Sequence, residues 1–234
     1  MTKVPMNYSK NILFNIAIDF VIFGYNEGEL KLLLKKENSE QTSGQWSLLS
    51  GNLDVDEDLN QAASRILNQL SGLYSIHLEQ LYTYCKPNID SGARNLAVAY
   101  YAIIKLNDQY KEIPGEFNQK WFNIKEIQEL VFDPEHIIDR ALLELQEHAK
   151  VIPVGITLMP DKFSITQLHA MYEAIFQKKL DRGNFRKSIL SIDLLEKLEE
   201  KDKSGSRKGA WLYRFNEQKF NDLNTNGVLF KISL

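Results

Sequence analysis

The sequence predicts an α/β/α sandwich followed by a smaller domain made of two helices and a β-hairpin. Apolar runs of strand length recur through the first part of the chain, and an amphipathic helix at residues 57–70 interrupts them. A second helix is predicted to close this region near His148, so that a mixed sheet carries a helix on each side. After Pro153 the pattern changes to two short helices and two strands. We therefore predict domains at residues 1–153 and 154–234.

The chain begins with a predicted hairpin. Residues 11–23 form an almost unbroken apolar, β-branched and aromatic run, which is typical of a long buried strand. Residues 26–28 predict a turn. Leu30, Leu32 and Leu34 then alternate with lysines in a second strand, which we expect to place one face in the core.

The remaining elements of the first domain follow from the same patterns. The helix at residues 57–70 has one apolar stripe, formed by Leu59, Ala62, Ala63, Ile66, Leu67 and Leu70. Ser71-Gly72 predicts its end. Further strands are expected at residues 46–49, 77–84, 96–104 and 120–122. A helix then runs to about His148, with Asp133 as its cap and Pro134 in its first turn.

The second domain reads as a winged helix-turn-helix. Ser164 to Gln167 can cap a helix with an apolar face, a second helix is predicted from Asp181 to about Ser191, and residues 194–198 and 210–215 form a hairpin with a polar tip. In such a domain the second helix enters the DNA major groove. The candidate DNA-binding residues are Lys162, Ser164, Thr166, Arg182, Asn184, Arg186, Lys187, Arg207 and Lys208. We expect Phe185, Ile189 and Leu190 to face the core; the alternative is that the charges are ordinary solvated side chains.

Composition and charge fit this division. Residues 151–234 contain 14 Lys and Arg against 10 Asp and Glu, a net charge of +4, whereas residues 1–150 contain 14 against 21, a net charge of −7. The positive half is the one expected to face a polyanion. Cys85 is the single cysteine, which excludes an intramolecular disulfide and fits a reducing cytoplasm; we expect it to be buried. The start of the chain lacks a signal-peptide pattern, and no apolar run is long enough to span a membrane.

The stretch from Gly51 to Leu73 resembles the signature box of the Nudix hydrolases. Gly51, Glu57, Arg65 and Gly72 stand in register with that box, and the segment Gly44-Gln-Trp46-Ser-Leu48-Leu49-Ser50 is similar to the stretch that precedes it. The resemblance implies the Nudix fold. Nudix enzymes hold divalent metal with helical glutamates. The corresponding residues here are Ile66, Gln69 and Leu70, so we predict no hydrolase activity, no catalytic residue, no metal and no cofactor.

An altered box followed by a winged helix resembles the Nudix-related transcriptional regulators, the NrtR-like proteins. The resemblance extends to Phe163-Ser-Ile-Thr-Gln-Leu, Asp181-Arg-Gly-Asn-Phe-Arg-Lys and Leu212-Tyr-Arg-Phe. It implies a homodimeric repressor that is held on double-stranded operator DNA and released by a small-molecule effector. One branch of the family responds to ADP-ribose-type compounds. Another, the AraR-like branch of Bacteroides-like bacteria, responds to L-arabinose.

The effector site is predicted from family analogy at Lys31, Trp46, Ser50, Asn52, Arg94 and Asn95. These hydroxyl, amide and cationic groups suit an uncharged polyol, whereas a pyrophosphate needs more cations, a metal or a glycine-rich turn. The prediction is therefore a sugar, with L-arabinose named. An ADP-ribose-responsive regulator, an active pyrophosphohydrolase and a non-enzymatic module that binds protein remain as alternatives, and Trp46 has a core role as its alternative.

Overall fold

The computed structural model describes residues 14–87, 94–107, 110, 118–203 and 208–225. Ten strands lie in the described part, at β1 Phe14–Asn26, β2 Glu29–Lys36, β3 Trp46–Ser47, β4 Leu49–Asn52, β5 Glu79–Pro87, β6 Arg94–Lys105, β7 Gln119–Asn123, β8 Phe163–Ser164, β9 Leu195–Asp202 and β10 Ala210–Phe215. The helices are α1 Leu59–Ser71, α2 Glu135–Val151, α3 Gly155–Leu158, α4 Ile165–Phe176, α5 Arg182–Ser191 and α6 Glu217–Thr225.

The first seven strands form one mixed sheet with the order β3-β2-β1-β6-β5, to which β4 adds on β1 and β7 on β2. β1 and β6 are parallel, and the other pairs are antiparallel. Even-numbered residues of β1, among them Ile18 and Phe20, pack in the cluster that contains α1 residues. Odd-numbered ones, among them Val21 and Phe23, pack in the cluster that contains α2 residues. The predicted α/β/α sandwich is therefore confirmed.

The first hairpin turns at Glu27 and Gly28, which both have positive φ, at 45° and 89°. Two such residues match the type I′ turn that suits the twist of a two-residue hairpin, and glycine takes this conformation without strain. The expectation that only one face of β2 is buried was wrong, because Leu33 is buried in the α1 cluster while Leu32 and Leu34 lie in the other. A strand covered by helices on both sides has no solvent face.

Helix boundaries follow their caps. Asp58 caps α1 and forms a capping box with Gln61, so the helix begins at Leu59 rather than at Glu57, and Gly72 ends it in the left-handed conformation as predicted. The predicted cap of α2 was wrong. Pro134 occupies that position without a side-chain hydrogen bond, and Asp133 has a positive φ of 49°.

Cys85 is exposed rather than buried. It lies on β5, which stands at the edge of the sheet order and so has a neighbouring strand on one side. Within the residues that the structure describes, no helix has both the length and the apolar composition required to cross a bilayer.

The C-terminal elements pack on the first domain through a shared core. β8, β10 and β9 form a three-stranded sheet. Leu168, Met171 and Tyr172 of α4 belong to the same buried cluster as Val21 of β1 and Ala141 of α2. Gln146 Nε2 of α2 also donates a hydrogen bond to the carbonyl oxygen of Ile175, at 3.0 Å. The sequence after Pro153 suggests a domain boundary, but residues on both sides of it pack in one buried cluster.

Candidate functional site

The first helix of the helix-turn-helix, α4, begins with a capping box. Ser164 Oγ accepts a hydrogen bond from the Gln167 amide at 3.2 Å, and Gln167 Oε1 accepts one from the Ser164 amide at 2.7 Å. Ser164 is only 3% exposed. The structure therefore argues against the predicted phosphate contact of Ser164, because its hydroxyl is buried and already bonded to Gln167.

The turn between α4 and α5 is fixed by hydrogen bonds at Leu180. Its amide donates to Glu173 Oε1 at 3.0 Å, and its carbonyl oxygen accepts from His169 Nε2 at 3.0 Å. The amide hydrogen bond is the main cause that lowers the pKa of Glu173. Asp181 then caps α5 by accepting from the Asn184 amide at 2.8 Å. Side chains of α4 thus fix the orientation of α5.

Helix α5 has one buried face and one exposed, basic face. Phe185 and Ile189 are buried as predicted, whereas Leu190 is 37% exposed, so the expectation for Leu190 was wrong. The exposed residues include Arg182, Asn184, Arg186 and Lys187.

Thr166 of α4 comes together with Arg182 and Arg186 of α5. These three residues line one hollow of about 130 Å³ between the two helices.

The other predicted phosphate contacts are distributed around the hairpin. Lys162 Nζ lies 2.8 Å from both carboxylate oxygens of Glu200 on β9, with both side chains exposed. Contact with a phosphate would have to replace this surface ion pair, which is weak in such settings. Lys208 is exposed near the hairpin tip. Arg207 lies outside the described residues.

The sequence reasoning missed an aromatic and basic cluster on the same hairpin. Trp211 of β10 is 40% exposed, and the ammonium groups of Lys197 and Lys201 lie 4.0 and 4.3 Å from its ring centroid. The β9–β10 pairing is irregular between Trp211 and Tyr213, and Tyr213 is buried in the core cluster. The Trp211 cluster therefore presents an indole ring and two ammonium groups on the surface of the hairpin.

The predicted effector residues do not form one group. Ser50 and Asn52 pair with Asp19 and Ala17, and so face the α2 side of the sheet. Lys31 pairs with Gly24, which places it on the α1 side, and it forms an ion pair with Glu29 at 3.2 Å. The structure therefore separates Lys31 from the two β4 residues.

Trp46 and the β6 residues complete the predicted effector set. Trp46 is half-buried and packs edge-on against Phe122 at 4.7 Å between ring centroids, which favours its alternative role in the core. The backbones of Arg94 and Asn95 begin β6 beside Phe14 and Asn15. The side chains of Arg94 and Asn95 lie outside the described part of the chain.

Ser50 lines a cavity of about 180 Å³ together with Asp19, Glu37, Ser47 and Phe132. The Tyr84 hydroxyl donates a hydrogen bond to Asp19. Burial, followed by this contact, raises the pKa of Tyr84. Phe132 has a positive φ of 71° and is 66% exposed. Non-glycine residues hold that conformation at a cost, and such strain concentrates at binding sites.

Helix α1 carries a buried isoleucine that packs against the start of the box. Ile66 is 3% exposed and meets the backbone of Gly51 so closely that an added Cβ would lie 2.6 Å from its Cγ2 atom. Glu57 binds Arg65 with both oxygens, one of them 2.8 Å from Nε, and this pairing lowers the pKa of Glu57 to about 2. Among the described residues, no three His, Cys, Asp or Glu side chains are grouped as a metal site would require.

Comparison with known proteins agrees with this architecture. Residues 155–215 match the family model of the NrtR DNA-binding winged helix domain. The chain is 26% identical over 204 residues to the ADPR responsive transcriptional repressor of Acinetobacter baylyi, which covers 86% of this chain and 81% of that protein. Shewanella oneidensis NrtR is similar in structure both alone and with a 27mer DNA, with TM-scores of 0.71 and 0.70 and 24% identity. Each match covers 94% of this chain and 99% or more of the other.

A MutT/nudix family protein from Enterococcus faecalis is also similar in fold, with a TM-score of 0.62, 20% identity and 89% coverage of both chains. A Nudix-like α/β domain with a mixed sheet thus precedes the winged helix domain. The match at residues 155–215 places that part of the chain in the NrtR winged helix family.

Proposed function

We propose that this protein is a transcriptional repressor whose winged helix domain binds operator DNA and whose Nudix-like domain binds ADP-ribose or a closely related compound. The observation that carries the proposal is the matched winged helix domain, on which α5 presents an exposed basic face beside Thr166. The similarity to an ADPR responsive repressor along 86% of this chain supports the effector class.

In this proposal, α5 enters the major groove. Base edges are contacted by Arg182, Asn184 and Arg186. A guanidinium group can form two hydrogen bonds with guanine, and an asparagine amide can form two with adenine. Lys187 and Thr166 contact phosphates beside them. The hairpin, with Lys162 and Lys208 and with Arg207 beyond the described residues, binds the flanking backbone. We also propose a domain boundary at 153–154 and a homodimer, since a two-fold operator requires two such helices.

The sugar prediction receives no support from the comparisons, which favour the alternative of an ADP-ribose-responsive regulator. The Asp19 carboxylate and Ser50 hydroxyl in the 180 Å³ cavity suit the hydroxyl groups of a ribose as well as those of a free pentose. L-arabinose is therefore retained as the competing ligand in the experiment, and ADP-ribose is the proposed one.

We propose that the Nudix-like domain has no hydrolase activity. Ile66 is packed under Gly51, and Glu57 is paired with Arg65, so the box offers no group of free carboxylates to a divalent cation. Incubation of ADP-ribose with the protein and Mg²⁺ or Mn²⁺ should yield no product. Hydrolysis that Glu57→Gln abolishes would contradict this part of the proposal.

The experiment for the regulator function measures fluorescence anisotropy of labelled DNA taken from upstream of the protein's own gene. We expect tight, salt-sensitive binding that Arg186→Ala weakens and that ADP-ribose reverses, while L-arabinose has no effect. Lys125→Ala, an exposed lysine of the first domain, is the matched control. The protein must have one conformation that binds DNA and one that does not. Release requires that ADP-ribose has the higher affinity for the second conformation. If the protein binds the upstream DNA no more tightly than DNA of unrelated sequence, the proposed repressor function is refuted. If L-arabinose releases the DNA and ADP-ribose does not, the proposed effector is refuted.

A further inference from the structure

A cavity of about 620 Å³ lies beside the sheet at the end of α2, whereas the cavity that contains Ser50 lies at the start of that helix. We call it the junction cavity, because it is bounded by β6, by the last turns of α2 and by the segment that leads into the second domain. The apolar residues that line it include Ile103, Leu145, Ile152, Val154 and Ile156. Its volume falls in the range of about 300–1,000 Å³ that small-molecule sites occupy.

One wall of the junction cavity is an unpaired edge of β6. β1 pairs with β6 as far as Lys105, but β5 begins at Glu79, opposite Tyr101. Within the described residues, 102–105 therefore have a neighbouring strand on the β1 edge and none on the other. The backbone groups of such an edge can pair with an added extended chain.

The amides of Ile103 and Lys105 point toward this open edge. The Leu106 amide donates to the Tyr25 carbonyl oxygen of β1 at 2.9 Å. Because successive amides of a strand point to opposite edges, those of Ile103 and Lys105 point away from β1. No backbone carbonyl of the described part of the chain accepts from either amide on that side.

One end of the junction cavity carries a hydrogen-bond acceptor. The Tyr101 hydroxyl donates to Glu79 Oε2 at 3.0 Å, and His148 Nδ1 lies 2.8 Å from the same hydroxyl. Burial, followed by the charge of Glu79, raises the pKa of Tyr101, so the hydroxyl keeps its proton. The other carboxylate oxygen, Glu79 Oε1, is 3.8 Å from His77 Nε2, which is too far for a hydrogen bond. That oxygen is therefore available to a cationic donor.

Lys105 supplies a cation at the other end. Its Nζ atom donates to the Met159 carbonyl oxygen at 3.1 Å, and an ammonium group has three donors, so two remain. Tyr101 and Lys105 lie on the same face of β6, four residues apart, which corresponds to about 13 Å at roughly 3.3 Å per residue. An acceptor and a cation thus stand at the two ends of an apolar wall, beside unpaired backbone groups.

We propose that the junction cavity binds a short apolar peptide with free termini, extended alongside β6. The peptide ammonium contacts Glu79 Oε1, its carboxylate contacts Lys105, and its backbone pairs with Ile103. Three or four extended residues span about 10–13 Å, which matches the separation of the two ends. An apolar amine would use the acceptor alone and a fatty acid the lysine alone, whereas a peptide uses both ends and the backbone edge.

The experiment titrates the full-length protein by calorimetry with tri-leucine, N-acetyl-tri-leucine and tri-leucine amide. We expect each capped peptide to bind about tenfold more weakly than tri-leucine, which corresponds to about 1.4 kcal/mol for the lost contact. Glu79→Gln should weaken tri-leucine by the same factor and leave the acetylated peptide unchanged. Lys105→Gln should weaken tri-leucine and leave the amide unchanged. Glu129→Gln and Lys125→Gln, which make the same charge changes at exposed residues of the first domain, are the controls.

Amide hydrogen exchange, followed by NMR, measures the backbone pairing without any variant. Saturating tri-leucine should slow exchange at Ile103 and Lys105, whose amides point to the open edge. Exchange at Ile104 should stay the same, because its amide points toward β1.

Four results would overturn the proposal. The first is a parent chain that binds none of the three peptides. The second is a Glu79→Gln variant that weakens the acetylated peptide as much as the free one, since the change would then act through the fold and not through the ammonium contact. The third is unchanged exchange at Ile103 and Lys105 with tri-leucine bound. The fourth is triglycine binding as tightly as tri-leucine, because the apolar wall would then make no contribution.

Discussion

Restoring the box glutamate at position 66 should destabilise the protein rather than recreate a metal site. Ile66 is 3% exposed, in the cluster of α1 with Ala62 and Leu67. Ile66→Glu removes most of the burial of an isoleucine side chain, which is worth about 1.5–3 kcal/mol. It also buries a carboxylate without a partner, at a further cost of about 1–3 kcal/mol. Together these terms predict a loss of roughly 2.5–6 kcal/mol near pH 7.

The contact between Ile66 and Gly51 gives a second, independent measure. A methyl group at position 51 would meet Ile66 Cγ2 at 2.6 Å, so Gly51→Ala must displace the isoleucine. Overpacking of this kind costs about 1–3 kcal/mol. The same substitution should cost less in an Ile66→Ala background, because the methyl group then has space, and the difference is the coupling energy of a double-mutant cycle.

Urea denaturation at constant m-value measures both effects. Gln69→Glu, which restores another box glutamate at an exposed position of the same helix, is the control and should change stability by less than about 0.5 kcal/mol. The reasoning is refuted if Ile66→Glu is as stable as Gln69→Glu, or if Gly51→Ala costs the same in both backgrounds. Either result would mean that the packing of Ile66 against Gly51 contributes little to stability.

Three further predictions follow from the hydrogen bonds and charges. Glu57→Gln should lower the melting temperature at pH 7, with a difference that shrinks as pH falls from 4.5 toward 2, because the folded pKa of about 2 lies below the ordinary 4.5; a difference independent of pH would contradict it. Glu173→Gln should weaken operator binding severalfold in the anisotropy assay, since the Leu180 amide loses a charged acceptor, and unchanged affinity would show that the turn does not depend on it. Replacing both Lys197 and Lys201 with glutamine should reduce the log–log salt slope of DNA binding by roughly two, since each phosphate contact contributes about 0.9.

The double replacement on the hairpin has a matched control. Lys150 and Lys219 form ion pairs with Glu147 and Asp193, so replacing both with glutamine makes the same change in net charge away from Trp211. If the two double variants reduce the salt slope equally, the effect is one of overall charge. The Trp211 cluster would then have no direct contact with DNA.

Most of the fold follows from local sequence patterns. Apolar runs locate β1 and β6, and the predicted cap formed by Ser164 with Gln167 marks the start of α4. What the patterns miss depends on tertiary neighbours. The sequence does not show which side of the sheet Leu33 faces. Its burial depends on α1, which covers that side of the sheet.

The two candidate sites differ in how far the sequence predicts them. The proposed base-contacting residues lie on one short helix, so their residue types alone distinguish Arg182 and Arg186 from the buried Phe185, although residues three or four apart share a helix face. Effector residues come from separate strands, and their facing depends on register. Lys31 shows the consequence, because its pairing with Gly24 puts it on the other side of the sheet from Ser50.

A continuous set of contacts connects the proposed effector region with the proposed DNA-binding helices. Pro134 and Ile137, at the start of α2, line the cavity that contains Ser50. Further along α2, Gln146 donates to the carbonyl oxygen of Ile175 near the end of α4. A ligand that shifts the start of α2 therefore acts on the element that orients α5. Spatial continuity alone does not establish coupling, which has to be measured as a free energy between the two sites.

Gln146→Leu tests that coupling. It keeps the size of the side chain and its packing between α2 and α4, but removes the hydrogen bond to Ile175. We expect the affinities for operator alone and for ADP-ribose alone to stay within about twofold of the parent, since the contact lies in neither site. The ratio of operator affinity without and with saturating ADP-ribose should fall, because this ratio measures the coupling, which typically amounts to about 1–3 kcal/mol. The reciprocal ratio, ADP-ribose affinity without and with operator, must fall by the same factor. An unchanged ratio would mean that the effector is transmitted to α5 by another route, such as the shared core around Tyr172.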